Sequence, residues 1–224
     1  MVRVRVWDLP LRCFHWALAF LVLVSLCSGL LGEKLGVGVT EWHARSGYGI
    51  LALLLFRIVW GFCGGTQARF RSFVRGPRSV ASYVRRALRG DREVMLGHNP
   101  AGGWSVMAML VFLSLQAGSG LFIADEDLAF EAPLAKHISS HMVDLLKEFH
   151  EANAFLVLGL VGMHLAAIAY YYFAKGENLV RAMISGDKTL AAPPAEPMVS
   201  GHVGIGILVL AAAVTAVASL VKFA

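Results

Sequence analysis

Polar residues are spread so unevenly along this chain that the apolar positions fall into five blocks, at about 11–31, 42–62, 103–124, 149–174 and 203–221. Each block is long enough to cross a hydrocarbon core as a helix, which takes roughly 20 apolar residues. Nowhere do apolar and polar positions alternate through repeated segments of about ten residues, so the pattern predicts a helical bundle and not a barrel. The stretch "GPRSVASYVRRALRGDRE" has a different rhythm: Val80, Tyr83, Val84, Ala87 and Leu88 share one helical face and arginines the other. A helix over about 78–90 follows, either lying along a lipid surface or simply solvated. "GHNPAGGW" carries turn chemistry and delivers Trp104 to the head of the third block. "APLAKHISSHMVDLLKEFH" predicts a short surface helix running into the fourth. "GDKTLAAPPAEPMVSG" is rich in Pro and Ala and reads as a linker over 189–200. It divides a four-helix core, 1–188, from an additional transmembrane helix, 201–224, whose Gly201, Gly204 and Gly206 would let another segment come close.

Composition agrees: 57% of residues are hydrophobic and 16% charged, a balance a water-soluble domain of 224 residues could not present to solvent. The chain is expected to be an all-α integral membrane protein. Basic residues near span ends stay on the cytoplasmic side. Arg3, Arg5 and Arg12 precede the first span; Arg69, Arg71, Arg75, Arg78, Arg85, Arg86, Arg89 and Arg92 follow the second; Lys175, Arg181 and Lys188 follow the fourth. The opposite loops hold Glu33, Lys34 and Glu41, then the acidic cluster Asp125, Glu126, Asp127 and Glu131. The N-terminus is therefore expected in the cytoplasm and the C-terminus in the periplasm, in a bacterial inner membrane. The formal charge of +5 is topology and not a nucleic-acid footprint. The first block lacks an A-x-A-like exit and contains His15 and Trp16, so it is read as a retained helix and not a cleaved signal. Cys13, Cys27 and Cys63 form neither C-x-x-C nor C-x-x-C-H, which excludes a disulfide framework and covalently attached haem c.

Four histidines fall within or at the lip of the spans: His15, His43, His150 and His164. A single intramembrane imidazole is either a neutral group bonded to a neighbouring helix or a functional one. Four at matched depths favour function. His15 lies near the cytoplasmic end of an outward span and His43 at the periplasmic start of an inward one. His150 and His164 are fourteen residues apart on the fourth span, roughly 21 Å and nearly four whole turns, and so share a face. Depth pairs His15 with His164 toward the cytoplasm and His43 with His150 toward the periplasm. Two imidazoles from two helices, an apolar slot and no cysteine suit haem b. Arg57 lies fourteen residues after His43 at the level of the inner pair, and Arg12 and Arg45 lie near the entrances; each is a candidate partner for a haem propionate, or for Arg57 a side chain that snorkels.

"VWDLPLRCFHW", "WHARSGYGILALLLFRIVWGF", "RFRSFVRGPRSV", "GHNPAGGW", "FHEANAFLVLGLVGMHLAAIAYY" and "KGENLVRAMISG" together resemble the bacterial cytochrome b-561 family, in particular the branch of b-type cytochrome subunits of nickel-iron hydrogenases. The resemblance covers about residues 5–188 and leaves the fifth span outside. It implies a four-helix di-haem b bundle with ligands from helices one, two and four, at His15, His43, His150 and His164, in the pairs that depth suggests.

Two six-coordinate haems leave no vacant iron site, so electron transfer is the natural task. The leading expectation is an electron-transfer subunit between the quinone pool and a periplasmic redox partner: a hydrogenase, another dehydrogenase or a c-type cytochrome. The acidic cluster favours a basic partner, or only solvates a loop. A second class is a stand-alone superoxide:quinone oxidoreductase, which wants a positive funnel; Arg45, Lys136, His137, His141 and Lys147 leave room for a local basic site. His137 and His141, spaced i, i+4, would share a helix face as a quinone or proton site, or lie exposed without a role. A third class, a haem-free transporter with histidine ligands, predicts mid-membrane Gly/Pro breaks, and spans two and four hold no such proline.

Overall fold

The computed structural model describes residues 1–35, 37–90, 96–127, 129–190, 192, 194 and 197–224. Arg92 and parts of the proline-rich linker, and the side chains of Glu33, Lys34 and Leu88, lie outside the described residues.

In chain order the elements are β1 (Val2–Arg5), α1 (Leu9–Leu35), α2 (Val37–Cys63), α3 (Phe70–Phe73), α4 (Pro77–Leu88), α5 (Pro100–Gly120), β2 (Ala124–Asp125), β3 (Phe130–Glu131), a 3₁₀ turn at Ala135–His137, α6 (Ser140–Lys175), α7 (Leu179–Ser185), β4 (Asp187–Leu190) and α8 (Val203–Phe223). Five of these helices, α1, α2, α5, α6 and α8, are long and apolar enough to cross a membrane. Among the described residues the chain is all-α but for two short antiparallel pairs, β1 with β4 and β2 with β3.

Local chemistry sets the ends. Asp8 caps α1 by accepting from Leu11 N at 2.8 Å. Asn99 caps α5 by accepting from Gly102 N at 2.7 Å, with Pro100 in the first helical position, which is what the "HNP" turn encodes. Pro77 opens α4 in the same manner. Gly186 closes α7 at φ 87°, a left-handed conformation that glycine adopts without a Cβ clash.

The structure refines two boundaries. The fourth span and the surface helix predicted before it are one helix of 36 residues, about 54 Å long at 1.5 Å per residue. That exceeds a hydrocarbon core of about 30 Å, so its charged first turns project beyond lipid. The third span stops at Gly120 and not near 124, because the chain turns into the β2–β3 hairpin.

Contacts divide the chain into two units. The first gathers Met1–Cys13, Arg57–Met109 and Leu160–Leu208. Here β1 pairs with β4, Val2 opposite Leu190 through Arg5 opposite Asp187. Asp187 receives Arg3 and Arg5, each at 2.8 Å. Its desolvation would by itself raise the carboxyl pKa, but the hydrogen bonds and charges of the two arginines prevail and hold it below the ordinary value. Helix α4 is tied to α6 by Tyr83 and Tyr171, whose hydroxyls meet at 2.7 Å, and Asn99 donates to the same Tyr171 hydroxyl at 2.7 Å. The head of α8 packs closely: a Cβ on Gly201 would run into the Trp60 ring, and one on Gly206 would lie 2.9 Å from Pro10, whereas nothing lies within 4 Å of Gly204. Val199 and Thr66 exchange bonds at 2.9 and 3.0 Å. The second unit gathers Phe14–Phe56, Leu110–Gly159 and Val209–Ala224. In it α1 meets α2 through Phe14 and Phe56, ring centres 5.9 Å apart, and α5 meets α6 through Asn153, which donates to Phe112 O at 3.0 Å and Gln116 Oε1 at 2.6 Å.

Candidate functional site

Within the second unit, α2 and α6 bring His43 and His150 together. Their ring centres are 6.1 Å apart and the rings stand at 76° to each other. The Nδ1–H of His43 donates to Ser25 O at 3.0 Å, which as a carbonyl can only accept, and Ser28 Oγ lies 3.2 Å from the same nitrogen. His150 Nδ1 meets Ser119 Oγ at 3.0 Å, and that hydroxyl donates onward to Gln116 O at 3.1 Å. Gln116 Nε2 also donates to His150 O at 3.0 Å. In both rings the chain engages Nδ1, so Nε2 is the nitrogen left to bind a metal.

The spacing has a chemical meaning. Two imidazoles on opposite faces of one metal, at bonds of about 2 Å and with half-widths of about 1 Å, have ring centres about 6 Å apart. The observed separation is therefore one at which both rings could hold a single metal, and a second bond from the far ring nitrogen is the usual device that orients such a ligand. Among the described residues no three His, Cys, Asp or Glu side chains gather as a metal cluster. What the pair can hold is an ion whose remaining coordination comes from elsewhere, as in a porphyrin.

His15 and His164 belong to different units, His15 to the second on α1 and His164 to the first on α6. His15 sits edge-on to Trp16, with ring centres 5.1 Å apart. Both histidines are half-buried.

The three candidate arginines have different surroundings. Arg57 on α2 is 2% exposed, lies over the Phe70 ring at 4.9 Å and the Phe73 ring at 5.8 Å, and has a buried Nη1 without a hydrogen-bond partner among the described residues. The Asp8 carboxylate acts on this guanidinium through its charge, and Nη1 can take a further acceptor. Arg12 instead donates Nη1 to Ile184 O at the end of α7, and its Nε is buried without a partner. Arg45 is exposed and bonded to Glu41 at 3.0 Å. Lys147 is likewise bonded to Asp125 at 2.7 Å. Two of the cations proposed for a basic funnel thus have carboxylates of their own.

His137 and His141 do not share a helix face. His137 ends the 3₁₀ turn, Ile138 is extended at φ −128° and ψ 166°, and His141 begins α6. Ser139 forces the break by capping α6, its Oγ accepting from Met142 N at 3.4 Å. The His137 ring bonds Ala224 O at 3.3 Å.

Sequence reasoning passed over Ser28, Ser119, Gln116 and Asn153, the polar groups around the His43–His150 pair. Polar side chains inside apolar blocks were the available sign, Asn153 among them, 1% exposed.

No curated protein matches the chain. The family model of prokaryotic cytochrome b561 matches residues 6–186. The chain therefore belongs to the prokaryotic cytochrome b561 family: it is a multi-pass membrane protein that carries electrons across the bilayer on haem b.

Proposed function

We propose that this chain conducts electrons between the membrane quinone pool and a periplasmic redox protein, a hydrogenase, another dehydrogenase or a c-type cytochrome. Two haems b serve it. His43 and His150 would hold the outer one, and His15 and His164 the inner one. The observation that carries the reading is the His43–His150 pair, 6.1 Å between ring centres, with each Nδ1 already bonded to the chain. The inner pair rests on depth along the helices. Haem supplies a one-electron iron couple, closed to exogenous ligands when two imidazoles hold it. The chain supplies a dry slot, ligand orientation and counter-charge. Arg57 is the residue we assign to a propionate of the inner haem, because its buried guanidinium has donor capacity to spare.

The four-helix core over 1–188 carries the haems and α8 is an addition to it, in a bacterial inner membrane with the N-terminus cytoplasmic and the C-terminus periplasmic. The arginine-rich segments support this orientation. Pairing of Arg45 with Glu41 and of Lys147 with Asp125 weakens the basic funnel that superoxide capture would need, which favours an electron-transfer subunit over a stand-alone oxidoreductase.

Replacement of each histidine by alanine tests the reading. Reduced-minus-oxidised spectra and haem counts should show two haems in the parent protein, loss of one potentiometric component in His43→Ala and His150→Ala, and loss of the other in His15→Ala and His164→Ala. If all four variants lost the same component, the pairing would be wrong. Superoxide-driven quinone reduction by the isolated chain would point to the oxidoreductase instead.

A further inference from the structure

The tripeptide Ser-Gly-Leu occurs twice in this chain, at Ser28–Leu30 and at Ser119–Leu121, and both copies lie at the His43–His150 pair. Neither α1 nor α5 contributes an imidazole to that pair, yet each supplies the same two groups to it. The serine hydroxyl lies beside a ligand's Nδ1: Ser28 at 3.2 Å from His43, Ser119 at 3.0 Å from His150. The glycine leaves room for the ring: a Cβ on Gly29 would sit 3.1 Å from His43 Cε1, and one on Gly120 would sit 3.2 Å from His150 Cε1. Both distances are closer than ordinary van der Waals contact, so a side chain at either position would have to push the imidazole aside. Consecutive helical residues point about 100° apart, which is how one residue bonds the ring's edge while its neighbour opens space for it.

We propose that these two Ser-Gly pairs are positioning residues that fix the planes of the His43 and His150 imidazoles, and that the Ser119 hydroxyl tunes the reduction potential of the haem those histidines hold. This rests on the ligand assignment above. A hydrogen bond from Nδ1–H to an oxygen makes the imidazole a stronger electron donor through Nε2. A stronger donor stabilises the ferric state and lowers the potential.

The two sides are not equivalent, and that makes the idea testable. His43 Nδ1–H has the Ser25 carbonyl at 3.0 Å as well as Ser28, and Ser28 Oγ itself donates to Val24 O at 2.7 Å. His150 Nδ1 meets the Ser119 hydroxyl at 3.0 Å, and the Gln116 backbone is a second partner of the ring. Removing Ser28 therefore leaves the His43 bond in place. Removing Ser119 takes from His150 the oxygen that meets Nδ1 at 3.0 Å and leaves it the Gln116 backbone.

The experiment is a potentiometric titration of the purified holoprotein, followed at the b-type absorption band, with electron paramagnetic resonance of the oxidised form. Ser119→Ala should raise the potential of the outer haem by about tenfold in its redox equilibrium, about 59 mV for a one-electron couple. Ser119→Thr, which keeps the hydroxyl, should restore it, and Ser28→Ala should move it much less. Gly120→Ala should turn the rings away from perpendicular and convert a highly anisotropic low-spin ferric signal to a rhombic one. An unchanged potential in Ser119→Ala, or equal shifts in Ser119→Ala and Ser28→Ala, overturns the proposal. Should Ser119→Ala fail to retain haem, Ser119→Cys, a weaker partner, decides the matter by shifting the potential upward or leaving it where it was. His150→Ala separates this from the ligand reading: an outer haem that survives that change sinks the assignment itself, whereas one that needs His150 but ignores Ser119 sinks only the tuning.

Discussion

At the scale of single residues, Asp8 shows how much one buried carboxylate organises. It is 4% exposed and accepts from Leu11 N at 2.8 Å, Gly65 N at 3.0 Å and Trp60 Nε1 at 3.3 Å. One side chain thus starts α1, holds the turn after α2 and orients the largest fully buried ring. Alanine there leaves three donors without an acceptor, each a cost of about 1–3 kcal/mol when burial is complete. We expect Asp8→Ala to lower the thermal midpoint of the detergent-solubilised protein markedly, with Asp8→Asn intermediate because an amide oxygen still accepts. A melting curve unchanged in Asp8→Ala would show that water replaces the carboxylate at little cost. Arg57 is the converse case, a buried donor whose Nη1 lacks an acceptor among the described residues.

At the scale of elements, α8 illustrates what small residues do in lipid. Helices in a membrane gain little from hydrophobicity and associate where their backbones can approach. Gly201 and Gly206 provide that approach, against Trp60 and Pro10, while Gly204 faces open space. Gly201→Leu should therefore loosen the head of α8 and expose the segment before it to protease, whereas Gly204→Leu should behave as the parent. Equal sensitivity of the two variants would mean that α8 docks in some other way. The five spans were legible in the sequence because lipid demands long apolar runs, and α4 was legible because its arginines recur on one face. The β1–β4 pair was not, since two four-residue strands some 180 positions apart carry no local pattern. The first turns of α6, with Asp144, Lys147 and Glu148, were read as a short helix running into the fourth span, and the structure joins the two as one helix. Among the site residues the imidazoles stood out by cost alone. Ser28, Gly29, Ser119 and Gly120 did not, because small residues in membrane helices are too common to notice until a ring is seen against them.

At the scale of the whole molecule, charge is segregated. The arginines crowd one set of segments, and the β2–β3 hairpin presents Glu126, Asp127 and Glu131 to solvent. Asp125 is engaged with Lys147 at 2.7 Å, so the exposed three form the field an approaching protein meets. For a basic partner such as a c-type cytochrome, complementarity accelerates encounter more than it strengthens the complex. Replacing Glu126, Asp127 and Glu131 by their amides should slow electron exchange with a basic c-type cytochrome at low salt several-fold and flatten its dependence on ionic strength. A rate and salt dependence equal to the parent's would assign the hairpin to solvation only.

Helix α6 is a single unbroken shaft from Ser140 to Lys175. His150 and His164 are keyed to the same shaft, so one extra residue spliced between them would swing everything beyond it by about 100°. On the proposed ligand assignment, a single alanine inserted after Leu158 should cost the protein the haem assigned to His164 and spare that assigned to His150, while four inserted alanines, about one full rotation, should recover much of the alignment at a displaced height. Equal haem content after one and after four insertions would mean that angular phase along this helix does not matter.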